Sequence, residues 1–169
     1  PPDESLPAAR FLLRGEADIA IPHSVGAIFP LPQLQGAATV GSINFLPDED
    51  GVVRRVPMVV RVGDVLAPAL SLEVLRRVQN AGSFVIQPHA VAGLEVRVGR
   101  LGVPMSPSGE AWVYFAPSRQ ADFLPAWQVF EDDKVLSRLR NRIVLVGSSA
   151  AALRDLRFGP FPGVVPGVE

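Results

Sequence analysis

The amino-acid sequence predicts an α/β domain with a mixed sheet, helices packed on the sheet, a central antiparallel hairpin at residues 40–62 and a buried strand near the C-terminus. Two strand-like runs, Val40–Phe45 and Val52–Val62, flank a turn at Pro47–Gly51, as in a hairpin. Between residues 69 and 80 apolar residues recur at helical spacing, which predicts an amphipathic core helix. Ile143–Val146 is an unbroken apolar run, typical of a strand covered on both faces.

The N-terminal half of the domain begins with a helix that we expect to start at Ser5 and end near Arg14. A short strand at Ile19–Ile21 and a helical turn near Leu34 follow. The hairpin then consists of Val40–Phe45, a turn at Pro47–Gly51, and a long strand at Val52–Val62. After a turn at Gly63–Asp64 comes the core helix at Ala69–Asn80, with Gly82 as its C-terminal cap.

The C-terminal half is predicted to contain short strands and two helices. We expect strands at Phe84–Ile86, Leu94–Val98, Leu101–Val103 and, after a Ser106–Gly109 turn, Ala111–Ala116. The helices are expected at Ala126–Phe130 and Leu136–Asn141, ahead of the apolar strand, and Phe158–Glu169 is expected to be a loop. No repeat or linker divides the chain, so residues 1–169 are interpreted as a single domain.

Composition narrows the functional classes. With 48% hydrophobic and 20% charged residues and a formal net charge of -1, the chain is a folded domain with no nucleic-acid partner implied. The absence of cysteine excludes disulfides and thiolate metal sites, and no apolar run approaches the roughly 18 residues that span a bilayer. We expect neither a cofactor nor a metal. The acidic turn Asp48, Glu49, Asp50 resembles a calcium loop, but Leu46 and Pro57 occupy positions that need ligating side chains.

The arginine pair in the hairpin is the first candidate binding element. Neighbouring strand residues point to opposite faces, so Arg54 shares its face with valines and Met58, whereas Arg55 lies on the other face. A buried guanidinium needs an acidic partner, for which Asp48, Asp50, Glu73 and Asp155 are candidates. Arg54 then either holds the hairpin through a buried salt bridge or donates hydrogen bonds to an anionic ligand.

The second candidate element is Ile143–Asp155, in which a predicted buried strand ends in Gly147, Ser148 and Ser149. Ligands of α/β sheets often bind at such strand ends, although neither a P-loop nor a dinucleotide fingerprint is present. The pattern G-x-S-x-A is one glycine short of a hydrolase elbow, and a hydrolase also needs a histidine after the serine. His23 and His89 both precede it.

Aromatic residues are concentrated in the C-terminal half of the sequence. They are Trp112, Tyr114, Phe115, Phe123, Trp127 and Phe130. Core packing is the expectation for them, with a ligand-facing wall as the alternative.

Three blocks of sequence together resemble the second type of CHASE domain. They are GSINFLPDEDGVVRRVPMVVRVGD, the helix LSLEVLRR, and RIVLVGSSAAALRDLRFGP followed by PGVE. The resemblance implies a bacterial extracytoplasmic (periplasmic or extracellular) sensory domain anchored through flanking membrane helices, whose cytoplasmic output is an adenylate or guanylate cyclase, a histidine kinase or a serine/threonine kinase. It also implies a longer N-terminal side, so we expect this chain to lack the opening part of the domain. The family-like positions are Asn44, Asp48, Asp50, Gly51, Arg54, Arg55, Gly147, Ser148, Ser149, Asp155, Gly167 and Glu169.

The sequence therefore predicts a binding module without catalysis that recognises a small molecule or an envelope cue. The ligand-binding candidates are Asn44, Asp48, Asp50, Arg54, Arg55, Ser148, Ser149 and Asp155. Two alternatives remain open: a dimerisation or docking module without a small ligand, for which a homodimer is one arrangement, and a serine hydrolase-like enzyme.

Overall fold

The computed structural model describes residues 10–15, 19–117, 119 and 123–148, together with the backbone of Leu156–Phe158 and Val164–Pro166. The chain forms two compact units. The first consists of Pro1–Pro47 and Arg54–Val113, and the second of Asp48–Val53 and Tyr114–Glu169.

The first unit contains short strands and two helices. The strands are β1 (Phe11–Leu13), β2 (His23–Ser24), β3 (Arg55–Pro57), β4 (Val59–Val62), β5 (Val65–Pro68), β6 (Phe84–His89), β7 (Gly93–Val98), β8 (Leu101–Met105) and β9 (Glu110–Trp112). The helices are α1 (Pro32–Ala37) and α2 (Leu70–Val78). The predicted helical turn near Leu34, the core helix and the first three strands after it are confirmed, whereas the predicted strand Ala111–Ala116 ends at Trp112.

The sheets of this unit mix parallel and antiparallel pairs, which confirms the α/β fold class with a mixed sheet. A four-stranded sheet has the order β1-β6-β7-β8, in which β1 runs parallel to β6 and the other pairs are antiparallel. In a three-stranded sheet, β4 pairs with β2 in parallel and with β5 in antiparallel orientation. Strands β3 and β9 form a separate antiparallel ribbon.

The hydrophobic core of the first unit arises from strict alternation along its strands. Phe84 and Ile86 on β6, and Val96 and Val98 on β7, are buried, whereas the residues between them are more exposed. Leu72 of α2 joins the same core. Burying a side chain of this size contributes about 1.5–3 kcal/mol, so this set of contacts is the main favourable term for folding the unit.

The predicted hairpin at residues 40–62 is wrong. Its long strand divides at Met58: Arg55–Pro57 pairs with β9, and Val59–Val62 pairs with Val65–Pro68. The hairpin therefore forms around Gly63, whose φ of +57° suits a two-residue turn with glycine first. The turn after Pro47 is confirmed, but it joins no pair of strands.

Two further predictions fail, one for the N-terminal helix, where tertiary contacts override local propensity, and one for the cap of α2. Phe11–Leu13 lies in a strand instead of a helix, and the Phe11 ring stacks on Phe84 with centroids 5.0 Å apart. Ser5, the expected cap, lies outside the described residues. Gly82 does not cap α2, because Asn80, two residues earlier, adopts a φ of +50° and takes the capping position. The amides of Asn80 and Ala81 bond to carbonyls of the last helical turn, as in a Schellman motif.

In the second unit the helices are α3 (Ala126–Glu131) and α4 (Asp133–Leu139), as predicted. Strands β10 (Leu156–Phe158) and β11 (Val164–Pro166) pair in antiparallel orientation, where we expected only a loop. Neither α3 nor α4 has a buried residue.

The predicted buried strand at Ile143–Val146 is wrong. These residues belong to no strand, and 48–92% of their surface is exposed. The apolar run has no neighbouring strand in the described part of the chain, so its hydrophobicity alone does not bury it. The expected core packing of the aromatic residues fails in the same way, since Tyr114 is 95% and Phe130 89% exposed.

The start of α2 packs tightly against the segment that begins at Gly41. Ser42 donates its amide hydrogen to the Pro68 carbonyl at 2.8 Å, and its own carbonyl accepts from Leu70 at 2.8 Å. A Cβ on Gly41 would meet the Cα of Leu70 and would lie 2.8 Å from its amide nitrogen. Glycine is required here because the backbone of the helix leaves no space for a side chain.

We expect Gly41→Ala to destabilise the chain by about 1–3 kcal/mol, because the added methyl group overpacks against main-chain atoms that cannot move aside. Urea unfolding followed by circular dichroism measures this change. Gly36→Ala is the matched control, since a Cβ there meets nothing within 4 Å. An equal effect of both substitutions would contradict the close-approach explanation.

A buried ion pair stabilises α2 itself. The Glu73 carboxylate is bound by Arg76 through two hydrogen bonds of 2.6 and 2.8 Å, and Arg76 also donates to the Ala81 carbonyl at 2.9 Å. Burial alone would raise the pKa of Glu73, but hydrogen bonds from Arg76 and Thr39 and the charges of Arg76 and Arg77 outweigh it, so the pKa lies below its ordinary value of 4.5. Glu73, a candidate partner for Arg54, thus forms its ion pair with Arg76 of the same helix.

Because the pKa of Glu73 is lower in the folded chain, its pair stabilises the fold above the ordinary carboxyl pKa and loses that effect as pH falls through the lowered value. We expect Glu73→Gln to cost about 1–3 kcal/mol at neutral pH and to reduce the loss of stability on acidification. Urea unfolding at a series of pH values measures both. Glu95→Gln, at the pair whose Arg97 side chain is 45% exposed, should cost less than Glu73→Gln, at most about 1 kcal/mol. A pH profile of Glu73→Gln identical to that of the unsubstituted chain would refute this role.

Candidate functional site

The clearest polar cluster of the first unit is built on the β3–β9 ribbon. Arg55 lies directly opposite Trp112, and Pro57 lies opposite Glu110. The guanidinium carbon of Arg55 is 5.7 Å from the centroid of the Trp112 ring, and its Nη1 atom is 3.4 Å from Oε2 of Glu110. Arg55 is therefore held between an aromatic face and a carboxylate.

Two serines of the preceding turn fix the position of that carboxylate. Ser108 Oγ donates to Oε2 of Glu110 at 3.0 Å, and the hydroxyl groups of Ser106 and Ser108 are 2.7 Å apart. Ser106 Oγ also accepts from the Glu110 amide at 3.3 Å. The turn closes through Gly109, whose φ of +75° favours glycine. We refer to Arg55, Ser106, Ser108, Glu110 and Trp112 as the Arg55 cluster.

The Arg55 cluster combines preorganised polar groups with solvent access. The Arg55 side chain is 40% exposed and Trp112 is 62% exposed, whereas the Glu110 side chain is only 15% exposed. An ion pair with this exposure contributes at most about 1 kcal/mol to stability. The arginine can therefore exchange Glu110 for an anionic group of a ligand at little cost, while the indole ring offers a stacking surface.

The other candidates from the first unit lie on the chain that leads to this ribbon. Arg54 is half-buried, and its carbonyl accepts a hydrogen bond from Val113 at 2.9 Å. Asn44 is exposed, and its amide donates to Ser42 Oγ at 3.3 Å. Both contacts use main-chain atoms of Arg54 and Asn44, so a ligand-binding role of the two side chains stays a prediction.

The acidic candidates Asp48 and Asp50 are brought together in one turn of the second unit. The Gly51 amide donates to the Asp48 carbonyl at 2.8 Å, and Asp50 Oδ1 accepts from the Val52 amide at 3.1 Å. Gly51 has a φ of +80°. Asp50 thus serves the turn itself, as aspartates in this position commonly do.

The serine candidates are described only in part. Ser148 is half-buried in the second unit, and Ser149 and Asp155 lie outside the described residues. The part of these residues in a ligand site stays a prediction.

The histidines considered for catalysis lie in the first unit. His89 Nδ1 accepts from the amides of Val91 and Ala92 at 3.3 and 3.0 Å, so this nitrogen holds the β6–β7 turn. Among the described residues, no group of three or more acidic or histidine side chains is placed to hold a metal ion. Within the same part of the chain, no helix is long and apolar enough to cross a membrane.

Sequence reasoning missed Ser106, Ser108 and Glu110 as members of a site and assigned Trp112 to the core. A local signal existed: residues 110 and 112 of a strand share one face, and the Ser106–Gly109 turn was recognised. What sequence could not supply was the pairing partner. The register that places Arg55 opposite Trp112 joins segments more than fifty residues apart.

The comparisons with known proteins agree with the motifs. The family model described as the CHASE2 domain matches residues 7–169, nearly the whole chain. Searches of curated proteins and of solved structures found no match. The CHASE2 family consists of extracellular sensory domains without catalytic activity. The resemblance seen in the hairpin and serine motifs is confirmed, and this chain belongs to the CHASE2 domain family.

Proposed function

We propose that this chain is the ligand-binding, extracytoplasmic sensory domain of a bacterial transmembrane receptor that regulates a cytoplasmic cyclase or kinase. Membership of the CHASE2 family carries the proposal, since a sensory domain must couple an external cue to an output. The domain would be anchored through flanking membrane helices, and its cue would be a small molecule of the cell envelope or its surroundings.

The Arg55 cluster is the part of the described chain best suited to contact such a cue. A ligand with an anionic group next to a planar or apolar part would engage Arg55 and stack on Trp112. The Glu110 carboxylate, held by Ser108, would return to Arg55 when the ligand leaves. Asn44, Asp48, Asp50, Arg54, Ser148, Ser149 and Asp155 stay predicted ligand-binding residues.

Main-chain hydrogen bonds connect this cluster to the core. Met58, directly after β3, donates its amide hydrogen to the Gly109 carbonyl at 2.9 Å and accepts from the Ala69 amide at 2.7 Å. A shift of the ribbon on ligand binding would therefore act on the start of α2. A ligand that binds one position of the ribbon more tightly shifts the population of the whole unit toward it.

A thermal-shift screen against small anions and metabolites tests the ligand site, with the unsubstituted chain, Arg55→Ala and Arg97→Ala compared side by side. Arg97 is a matched control, because it also forms a 3.4 Å pair with a glutamate and has a similarly exposed side chain, but it lacks the tryptophan and serines. We expect a compound that stabilises the chain and Arg97→Ala but not Arg55→Ala. At a hundred times its Kd, such a compound adds about 2.7 kcal/mol.

Equal shifts in all three proteins would place the ligand away from Arg55. No shift with any compound would favour the alternative of a docking module without a small ligand.

A further inference from the structure

The hydroxyl groups of the Arg55 cluster form hydrogen bonds that run in one direction. A carboxylate only accepts, so Ser108 Oγ donates its single proton to Oε2 of Glu110, 3.0 Å away. In the 2.7 Å contact between the two serine hydroxyls, Ser106 is then the donor and Ser108 the acceptor. Ser106 Oγ in turn accepts from the Glu110 amide at 3.3 Å. Both hydroxyl protons are therefore used within the cluster.

The groups that remain for a ligand have opposite polarity on the two sides of the cluster. On one side, the Arg55 guanidinium has a positive charge and only donors. On the other side, the Glu110 carboxylate and the remaining lone pairs of the two serine oxygens are all acceptors. A ligand that uses both sides thus needs an anionic group for Arg55 and a hydrogen-bond donor for Glu110.

The charge of Glu110 favours a donor that is itself cationic. Oε2 of Glu110 lies 3.4 Å from Nη1 of Arg55, which is longer than the roughly 2.7–2.9 Å of a strong charge-assisted hydrogen bond, so a ligand can open this contact. A simple anion on Arg55 would bring a second negative charge beside the Glu110 carboxylate, and like charges this close repel. An ammonium group on the same ligand offsets that repulsion by binding Glu110.

We propose that the ligand of the Arg55 cluster is a zwitterion of the α-amino acid class, with its carboxylate on Arg55 and its ammonium group on Glu110 and the serine oxygens. This inference rests on the function proposed above and names the chemical class of that ligand. An α-amino acid has both charged groups on one carbon, which suits an arginine and a glutamate that contact each other across one ribbon. An apolar or aromatic side chain on that carbon would pack on Trp112, which is 62% exposed.

Three probes that share a phenyl group and differ in charge test the proposal. At about pH 7, L-phenylalanine carries both charged groups, 3-phenylpropanoate only the carboxylate, and 2-phenylethylamine only the ammonium group. Isothermal titration calorimetry with the 169-residue chain measures the binding of each. We expect phenylalanine to bind about tenfold or more tightly than either singly charged probe, because each of those lacks one charge-assisted contact.

Two variants locate the binding on the cluster. Arg55→Ala and Glu110→Gln should each weaken phenylalanine binding by about tenfold or more, since each removes the partner of one charged group. Arg97→Ala and Glu95→Gln are the matched controls, because these two residues also form a 3.4 Å pair, with side chains 45% and 14% exposed, but lack the serines and the tryptophan. Both controls should bind phenylalanine as the unsubstituted chain does. Circular dichroism checks that every variant keeps the fold, and the comparison of the three probes on the unsubstituted chain does not depend on any variant.

The outcomes separate this inference from the proposed function. If 3-phenylpropanoate binds as tightly as phenylalanine and loses its binding in Arg55→Ala, the amino-acid assignment is overturned, but Arg55 stays the anion site of a sensory domain. Phenylalanine binding that is unchanged in Glu110→Gln, or tighter binding of 2-phenylethylamine, would also overturn the assignment. So would the absence of binding by all three probes at millimolar concentration, whereas the wider thermal-shift screen decides whether the chain has a small ligand at all.

Discussion

The first unit depends on the main-chain bonds of Met58, which is buried where the long strand divides. Its amide binds the β9 turn at Gly109 and its carbonyl binds Ala69 at the start of α2. Met58 thus connects the β3–β9 ribbon, which contains Arg55, with helix α2, which contains the Glu73–Arg76 pair. Because buried main-chain groups are nearly always hydrogen-bonded, moving one element without the other would break one of these bonds. This coupling makes a surface cluster a reasonable place to start a signal.

The polar groups of the first unit divide into two kinds. The Glu73 carboxylate is buried and closely bound by Arg76, so it serves stability. Arg55 and Glu110 form a longer contact at a more exposed surface, where ion pairs contribute little to folding. Groups of the second kind are easier for another molecule to displace, because breaking their contact costs little. The two kinds have the same chemistry and differ in burial.

The second unit differs from the first in how few of its apolar side chains are buried. Its described helices bury no residue, and its aliphatic and aromatic side chains face outward. Exposed apolar surface of this kind generally marks an interaction site.

Sequence by itself determined the features that depend on neighbouring residues: the amphipathic α2, the β6 and β7 strands with their alternating burial, the acidic turn at Asp48–Gly51, and the motifs that identify the family. Tertiary structure decided what depends on distant partners. It chose β5 over residues 40–45 as the partner of Val59–Val62, made Phe11–Leu13 a strand, and placed Trp112 beside Arg55. It also left Ile143–Val146 exposed, although their composition is that of a core strand. The physical reason is that the pattern of apolar residues indicates which side chains favour burial. Whether another strand or helix is there to bury them depends on pairing with distant segments of the chain.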